Sequence, residues 1–288
     1  MRDTIPTSPS VVVGIDGSRL ALTSALWAVQ EAVSRDVPLR LVSVIEPRCE
    51  SDDIEYVENA LASAETAVRR VVTLVESTDQ PVKVEVEILH GRPTDLLLQA
   101  SRGAAMLCIG AVGTAGARSG HIGSTAVSLA TRAHCPVAII RGSLPTPTSA
   151  KSVVVELDAS QNDDAVLQLG IDEALLRNAP LVAISVWRAN VTDVHDGHAV
   201  AEQNRRVRAM VNRRLACTRR RHPELEVEPV AVHGSLLNYL SRHARSIQLV
   251  LVGGRRAHGI AEMIGPPSYA ALHGTDCSVL VCDQHGTL

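Results

Sequence analysis

The sequence contains no phenylalanine, and with so few Trp and Tyr its aromatics amount to 2% of 288 residues. A core without large rings has to be filled by Val, Leu, Ile and Ala, which suits buried parallel strands covered by Ala- and Leu-rich helices. Lysine is almost missing as well: Lys83 and Lys151 are the only two, and neither follows a glycine. That excludes the Walker phosphate loop, which needs Gly-Lys-Ser or Gly-Lys-Thr. The triplet Gly-x-Gly occurs nowhere, which excludes the Rossmann dinucleotide fingerprint. The six cysteines form no Cys-x-x-Cys pair and no zinc-like spacing. Cys108, Cys135, Cys277 and Cys282 lie in or beside apolar runs and are expected as buried, reduced thiols acting as small hydrophobes.

No apolar run approaches the length of a membrane span, and residues 1–10 lack the apolar core of a signal peptide. The expectation is a cytoplasmic protein with no membrane partner. A net charge of −3 gives no general attraction to nucleic acid or to anionic lipid. The 45% hydrophobic and 20% charged fractions are those of a globular chain, and the length suits one large domain or two ordinary ones.

What is present is a regular alternation of apolar runs and helical periodicities. Residues 10–16 form a continuously apolar run closed by Asp16-Gly17-Ser18, a buried strand followed by a turn. Leu22, Ala25, Leu26, Val29, Ala32 and Val33 recur at helical spacing to about residue 36. A strand over 38–45, a long helix over 54–76 and a strand over 82–89 follow. The last of these alternates apolar and charged residues, as a strand exposed on one face near a sheet edge does. A short helix over 94–102 begins after Pro93, then come a strand over 104–109, a helix from Ser124 to about Ala133 and a strand over 136–140. The order βαβαβαβαβ describes a doubly wound parallel α/β domain.

A Pro/Ser/Thr-rich linker over 143–150 is followed by the same order again. Asp16 and Asp158, Pro38 and Pro180, and Cys135 and Cys277 are each 142 residues apart, while His90 and His233, and Gly110 and Gly253, are 143 apart. A nearly constant offset over the whole length means a duplicated domain. The expected architecture is two tandem doubly wound, parallel five-stranded, Rossmann-like α/β domains, residues 1–142 and 151–288.

The strand ending at Ile109 runs into a loop bearing Gly110, Gly113 and Gly123 and then into a helix opened by Ser124 and Thr125. Glycines let the backbone approach a ligand, and the unpaired N–H groups at a helix start, backed by its dipole, favour an anion. The hydroxyls of Ser124 and Thr125 stand at the cap, within reach of helix N–H groups or of a phosphate oxygen. Asp16 and Gly110 both end strands, where ligands of open parallel sheets bind.

An Asp ending the first strand, with Gly-x2-Gly-x9-Gly-Ser after the fourth, resembles the ATP-binding class of the universal stress protein family in its tandem two-domain form. The resemblance covers almost the whole chain. It implies that Gly110, Gly113, Gly123, Ser124 and Thr125 contact the phosphates and ribose of ATP, with Mg2+ as an accompanying ion. It also implies that Asp16 with Ile15 sits by the adenosine, and that Leu39, at the start of the second strand, helps to hold the adenine. Intrachain pairing of the two domains is a further implication of the resemblance; the apolar fifth strands, 136–140 and 277–281, offer pairing edges on which a homodimer could also form. In the second copy Arg256 stands in place of the second glycine and Pro266 in place of the Ser, and the loop is one residue shorter. Nucleotide binding is therefore expected in the first domain rather than the second.

Eight arginines between Arg205 and Arg221 suggest nucleic acid, but Val207, Met210, Val211 and Leu215 form an apolar stripe, which makes the arginines the solvated face of a packed helix. His195-Asp-Gly-His198 offers too few ligands for a metal. No nucleophile or base stands out, and without a Walker lysine efficient catalysis is not expected, slow ATP hydrolysis being the most that remains. The functional expectation is a regulatory ATP-binding stress protein; a nucleotide-independent interaction module and an enzyme of adenylate chemistry are the alternatives.

Overall fold

The computed structural model describes residues 9–47, 54–114, 122–142, 151–157, 164–188, 197–253, 263, 272 and 275–282. The linker over 143–150, Asp158, His195 and the second-copy loop with Arg256 and Pro266 lie outside the described residues. The chain divides into two compact units, with the change between Leu144 and Pro145.

The first unit runs β1 (Ser10–Ile15), α1 (Arg19–Ser34), β2 (Leu39–Ile45), α2 (Ile54–Glu76), β3 (Val84–His90), α3 (Pro93–Ser101), β4 (Ala104–Gly110), α4 (Ser124–Arg132) and β5 (Val137–Ile140). Its strands are ordered β3-β2-β1-β4-β5 and are parallel throughout. Every residue of β1 is buried, as its apolar run requires, whereas β3 at the edge is buried at no position: Glu85 and Glu87 are half-buried, and it is Val86 and His90 that are exposed, not the charged residues that its alternation led one to expect. Helices α1 and α2 pack against one another, as do α3 and α4, so the two pairs cover opposite faces of the sheet. Strand order reverses between β1 and β4, and the crevice at their carboxyl ends is where such folds receive ligands.

Local chemistry sets the start of α1. Gly17 takes φ 79°, a conformation in which a side chain is strained, and this turn carries the chain from β1 into the helix. The Ser18 side chain then caps α1 by accepting from the Ala21 N–H at 3.1 Å. Pro93 opens α3 at a position where its missing N–H costs nothing.

The second unit repeats the order with β6 (Ser152–Glu156), α5 (Asp164–Leu176), β7 (Leu181–Trp187), α6 (Gly197–Arg214), α7 (Ala216–Arg221), β8 (Val227–His233), α8 (Leu236–His243), β9 (Ile247–Gly253) and β10 (Ser278–Cys282). Its parallel strands are ordered β10-β9-β6-β7-β8. The repetition extends to single bonds. Val11 N donates to Pro38 O and Val153 N to Pro180 O, both at 2.9 Å; Gly91 N donates to Ile45 O and Gly234 N to Trp187 O, both at 3.0 Å. Asp36 and Asn178 share positive φ values of 52° and 47°. Buried Glu31 pairs with Arg35, and buried Glu173 with Arg177, 142 positions on.

The single arginine-rich helix expected over 201–221 is divided at Leu215 into α6 and α7. The hydrogen-bond ladder nevertheless crosses the break, Leu215 N donating to Val211 O and Arg219 N to Leu215 O, both at 3.0 Å. Val207, Val211 and Leu215 are buried as the apolar stripe requires. Arg205 and Arg206 both donate to Glu202, and these bonds, Arg205's first, hold its carboxyl below the ordinary 4.5. Cys108, Cys135, Cys277 and Cys282 are buried, as expected. Among the described residues no helix is long and apolar enough to cross a membrane.

Candidate functional site

A cavity of about 450 Å³ opens at the carboxyl end of the first sheet, where β1 and β4 part. This is within the range of small-ligand pockets. Side chains two apart on a strand share a face, and so Gly14 and Asp16 from β1, and Val42, Val44 and Glu46 from β2 and its continuation, all line it. Pro93 and Leu97 of α3 form a further wall, and the loop after β4 with the start of α4 closes the other end.

The two ends differ in chemistry. Val42, Val44, Leu97 and Ile109 make one apolar, suited to a flat ring. At the other end stand Gly113, Gly123, Ser124 and Thr125. Gly123 is the N-cap residue of α4, and no side chain caps this helix. The first N–H groups of a helix have no acceptor within it, so those of α4 and the positive end of its dipole are available to an anion. Among the described lining residues the only charged side chains are the carboxylates of Asp16 and Glu46.

Seven of the eight residues expected at the site line this one cavity: Ile15, Asp16, Gly110, Gly113, Gly123, Ser124 and Thr125. Leu39 does not. It begins β2, pairs with Val11 near the amino end of the sheet and is fully buried. At ~3.3 Å per residue it lies roughly 16 Å along the strand from Val44. The position that β2 contributes is at its carboxyl end, Val42, Val44 and Glu46, which the rule for parallel sheets applied to this strand would have found.

The three loop glycines have different reasons for lacking a side chain. A Cβ on Gly110 would lie 2.8 Å from Leu20 Cβ and 3.2 Å from Leu20 C, so this glycine lets α1 pack against the end of β4. A Cβ on Gly113 would lie 2.6 Å from Asp16 Oδ2. Gly123 is unlike both: among the described residues a Cβ there would meet only Ala111 O at 3.7 Å and Gly113 N at 3.8 Å. Its φ of −61° and ψ of 146° suit any residue.

The family model for the universal stress protein family matches residues 8–141 and again 149–283. The chain belongs to the universal stress protein family. A universal stress protein of Mycobacterium tuberculosis strain H37Rv is 42% identical over 282 residues, covering 96% of each chain. A second universal stress protein of the same strain is 38% identical over 277 residues, covering 96% of this chain and 97% of the relative. The crystal structure of a universal stress protein from Archaeoglobus fulgidus matches 95% of this chain and 96% of its own with a TM-score of 0.69 at 19% identity, a likeness of fold. In this universal stress protein the cavity therefore sits in the first of two matched domains.

Proposed function

We propose that the first unit binds an adenine nucleotide, ATP with Mg2+ as its accompanying ion, and that the bound state regulates the protein's conformation or its choice of partner. The observation that carries this reading is Gly123. Neither its backbone nor its neighbours among the described residues require glycine, yet it lines the cavity beside uncapped N–H groups at the mouth of α4, where a bare backbone lets a ligand come close. The apolar end takes the adenine and the α4 end the phosphates. A ligand that fits one conformation better shifts the protein toward it by that difference in affinity.

Binding rather than turnover is the role we assign. Both oxygens of Asp16 are engaged by backbone N–H groups, which leaves this carboxylate poorly placed to serve as a base. In the same reading residues 1–142 are the binding domain, 143–150 the linker and 151–288 a domain whose loop has lost the site. A guanidinium at Arg256 can take a phosphate's place, and Pro266 lacks the N–H that Ser124 offers. A cytoplasmic setting belongs to the same reading, with the buried cysteines packing as small hydrophobes.

Isothermal titration with ATP, alongside native mass spectrometry of the purified protein for retained adenine nucleotide, tests the proposal. Saturable binding with one ATP per chain is expected. Undetectable binding at millimolar ATP eliminates it and leaves the nucleotide-independent interaction module.

A further inference from the structure

Asp16 stands exposed at the cavity, with both carboxylate oxygens engaged by backbone N–H groups. Oδ1 accepts from the Ser18 N–H at 2.9 Å and Oδ2 from the Thr114 N–H at 3.1 Å. The first bond closes the turn at Gly17 that leads into α1; the second crosses 98 residues of sequence to the loop after β4. Gly113 is bare at the place where its Cβ would come within 2.6 Å of Oδ2. From this loop the connection continues: Ala111 O accepts from the Gly123 N–H at 2.8 Å, and Gly123 caps α4.

We infer that Asp16 is a positioning residue, a carboxylate clamp that fixes the 111–114 loop and through it the anion-binding start of α4. A carboxylate that reached out to a ribose or a nucleobase would have to share or release these bonds. The ion's two oxygens instead match two N–H donors from separate segments, and charge-assisted bonds of this kind are the stronger class. Gly113 is the clamp's obligate partner, because any side chain there displaces Oδ2 from the Thr114 N–H. The inference rests on the nucleotide reading for its consequence to binding, but the clamp itself is a property of the unliganded protein.

The test has one arm without ligand and one with it. Amide hydrogen exchange of the nucleotide-free full chain is compared between wild type and Asp16→Ala; faster exchange at the Thr114 N–H is expected, and unchanged exchange overturns the clamp. The affinities of ATP, AMP and adenosine are then measured for wild type, Asp16→Ala and Asp16→Asn. Loss of bonds to a charged acceptor that orders the phosphate end should weaken ATP and AMP by about tenfold while adenosine changes much less. Asp16→Asn, which keeps one acceptor oxygen, should recover part of the loss. An equal loss for all three probes would make Asp16 a nucleoside contact and overturn the inference. A double-mutant cycle gives an independent reading: Gly113→Ala should weaken ATP in the wild type and add little in the Asp16→Ala background, and additive effects would contradict the clamp. Failure of wild type to bind any of the three probes defeats the nucleotide reading alone, and the exchange arm still decides the clamp.

Discussion

Replacing Gly123 by valine separates a ligand's requirement from the fold's. Among the described residues the new Cβ finds no atom closer than 3.7 Å, which is ordinary van der Waals contact. The backbone at φ −61° and ψ 146° lies in the region that β-branched residues favour. The Gly123 N–H bond to Ala111 O at 2.8 Å is kept. Removing a glycine from the unfolded chain stabilises by about 0.4–1 kcal/mol when the native conformation is compatible, so the melting temperature should hold or rise slightly. The cavity is another matter. Three added carbons, each taking about the ~30 Å³ share of a water molecule, remove roughly 90 Å³ from a cavity of about 450 Å³. They also hold phosphate oxygens away from the N–H groups of α4. Two bonds to a charged acceptor at ~1.5–3 kcal/mol each amount to roughly 3–6 kcal/mol, so the Kd for ATP should rise at least about 100-fold. Titration calorimetry reads the affinity and scanning fluorimetry the melting temperature. A Gly123→Val protein of unchanged melting temperature that binds ATP within about threefold of wild type would refute the reasoning.

Gly110→Ala should do the opposite, destabilising the apo protein by about 1–3 kcal/mol, as overpacking does, because its Cβ meets Leu20 Cβ at 2.8 Å; denaturant titration without nucleotide checks this. Leu39→Ala should cost about 2–5 kcal/mol, the usual loss for a fully buried leucine, and leave the ATP Kd of the remaining folded protein unchanged, since the cavity is at the other end of β2. Burial, with the charge of Glu228 adding to it, raises the phenol of Tyr239 above its ordinary 10.0. The unfolded chain then loses this proton at lower pH than the folded one, so the associated stability is fully present below about pH 10 and is lost as pH rises through the folded value. Tyr239→Phe keeps the ring that stacks on His243 at 4.4 Å and should flatten the alkaline fall in denaturation midpoint.

The architecture was legible because each level of the sequence agreed with the others. Short apolar runs at 11–15 and 249–252, each closed by a turn or glycine signal, read as buried strands, and the 142-residue offset made each half a check on the other. Seven of the site residues were legible because the Gly-x2-Gly-x9-Gly-Ser spacing and the strand-end Asp are local patterns. The rest depends on distance in space. Leu39 and Val44 are both apolar residues of one strand; the expected parallel sheet already pointed to the carboxyl end, Val44, and the observed pairing places Leu39 at the other. Pro93, Leu97 and Ile122 reach the cavity from other elements and carry no pattern that marks them. The differing reasons for Gly110, Gly113 and Gly123 also lay beyond the sequence, since a missing Cβ is explained only by the atoms it would have met.

The duplicated unit acts as an internal control on those reasons. Features that the fold demands recur: the positive-φ pair Asp36 and Asn178, the turn glycines Gly91 and Gly234, and the buried ion pairs at Glu31 and Glu173. Gly110, required where a strand end meets a helix, returns as Gly253. Gly113, whose bareness is demanded among the described residues by Asp16, becomes Arg256, although the aspartate itself returns as Asp158. A glycine that served the scaffold could not be exchanged for arginine without repacking, whereas one that served a clamp can be exchanged once the clamp has nothing to hold. Gly265 still stands where Gly123 would be, but Pro266, which has no backbone N–H, follows it in place of Ser124. The substitutions thus fall on the clamp and on the anion donors while the scaffold glycine is spared, which is the distribution expected if one unit binds and its copy supplies structure.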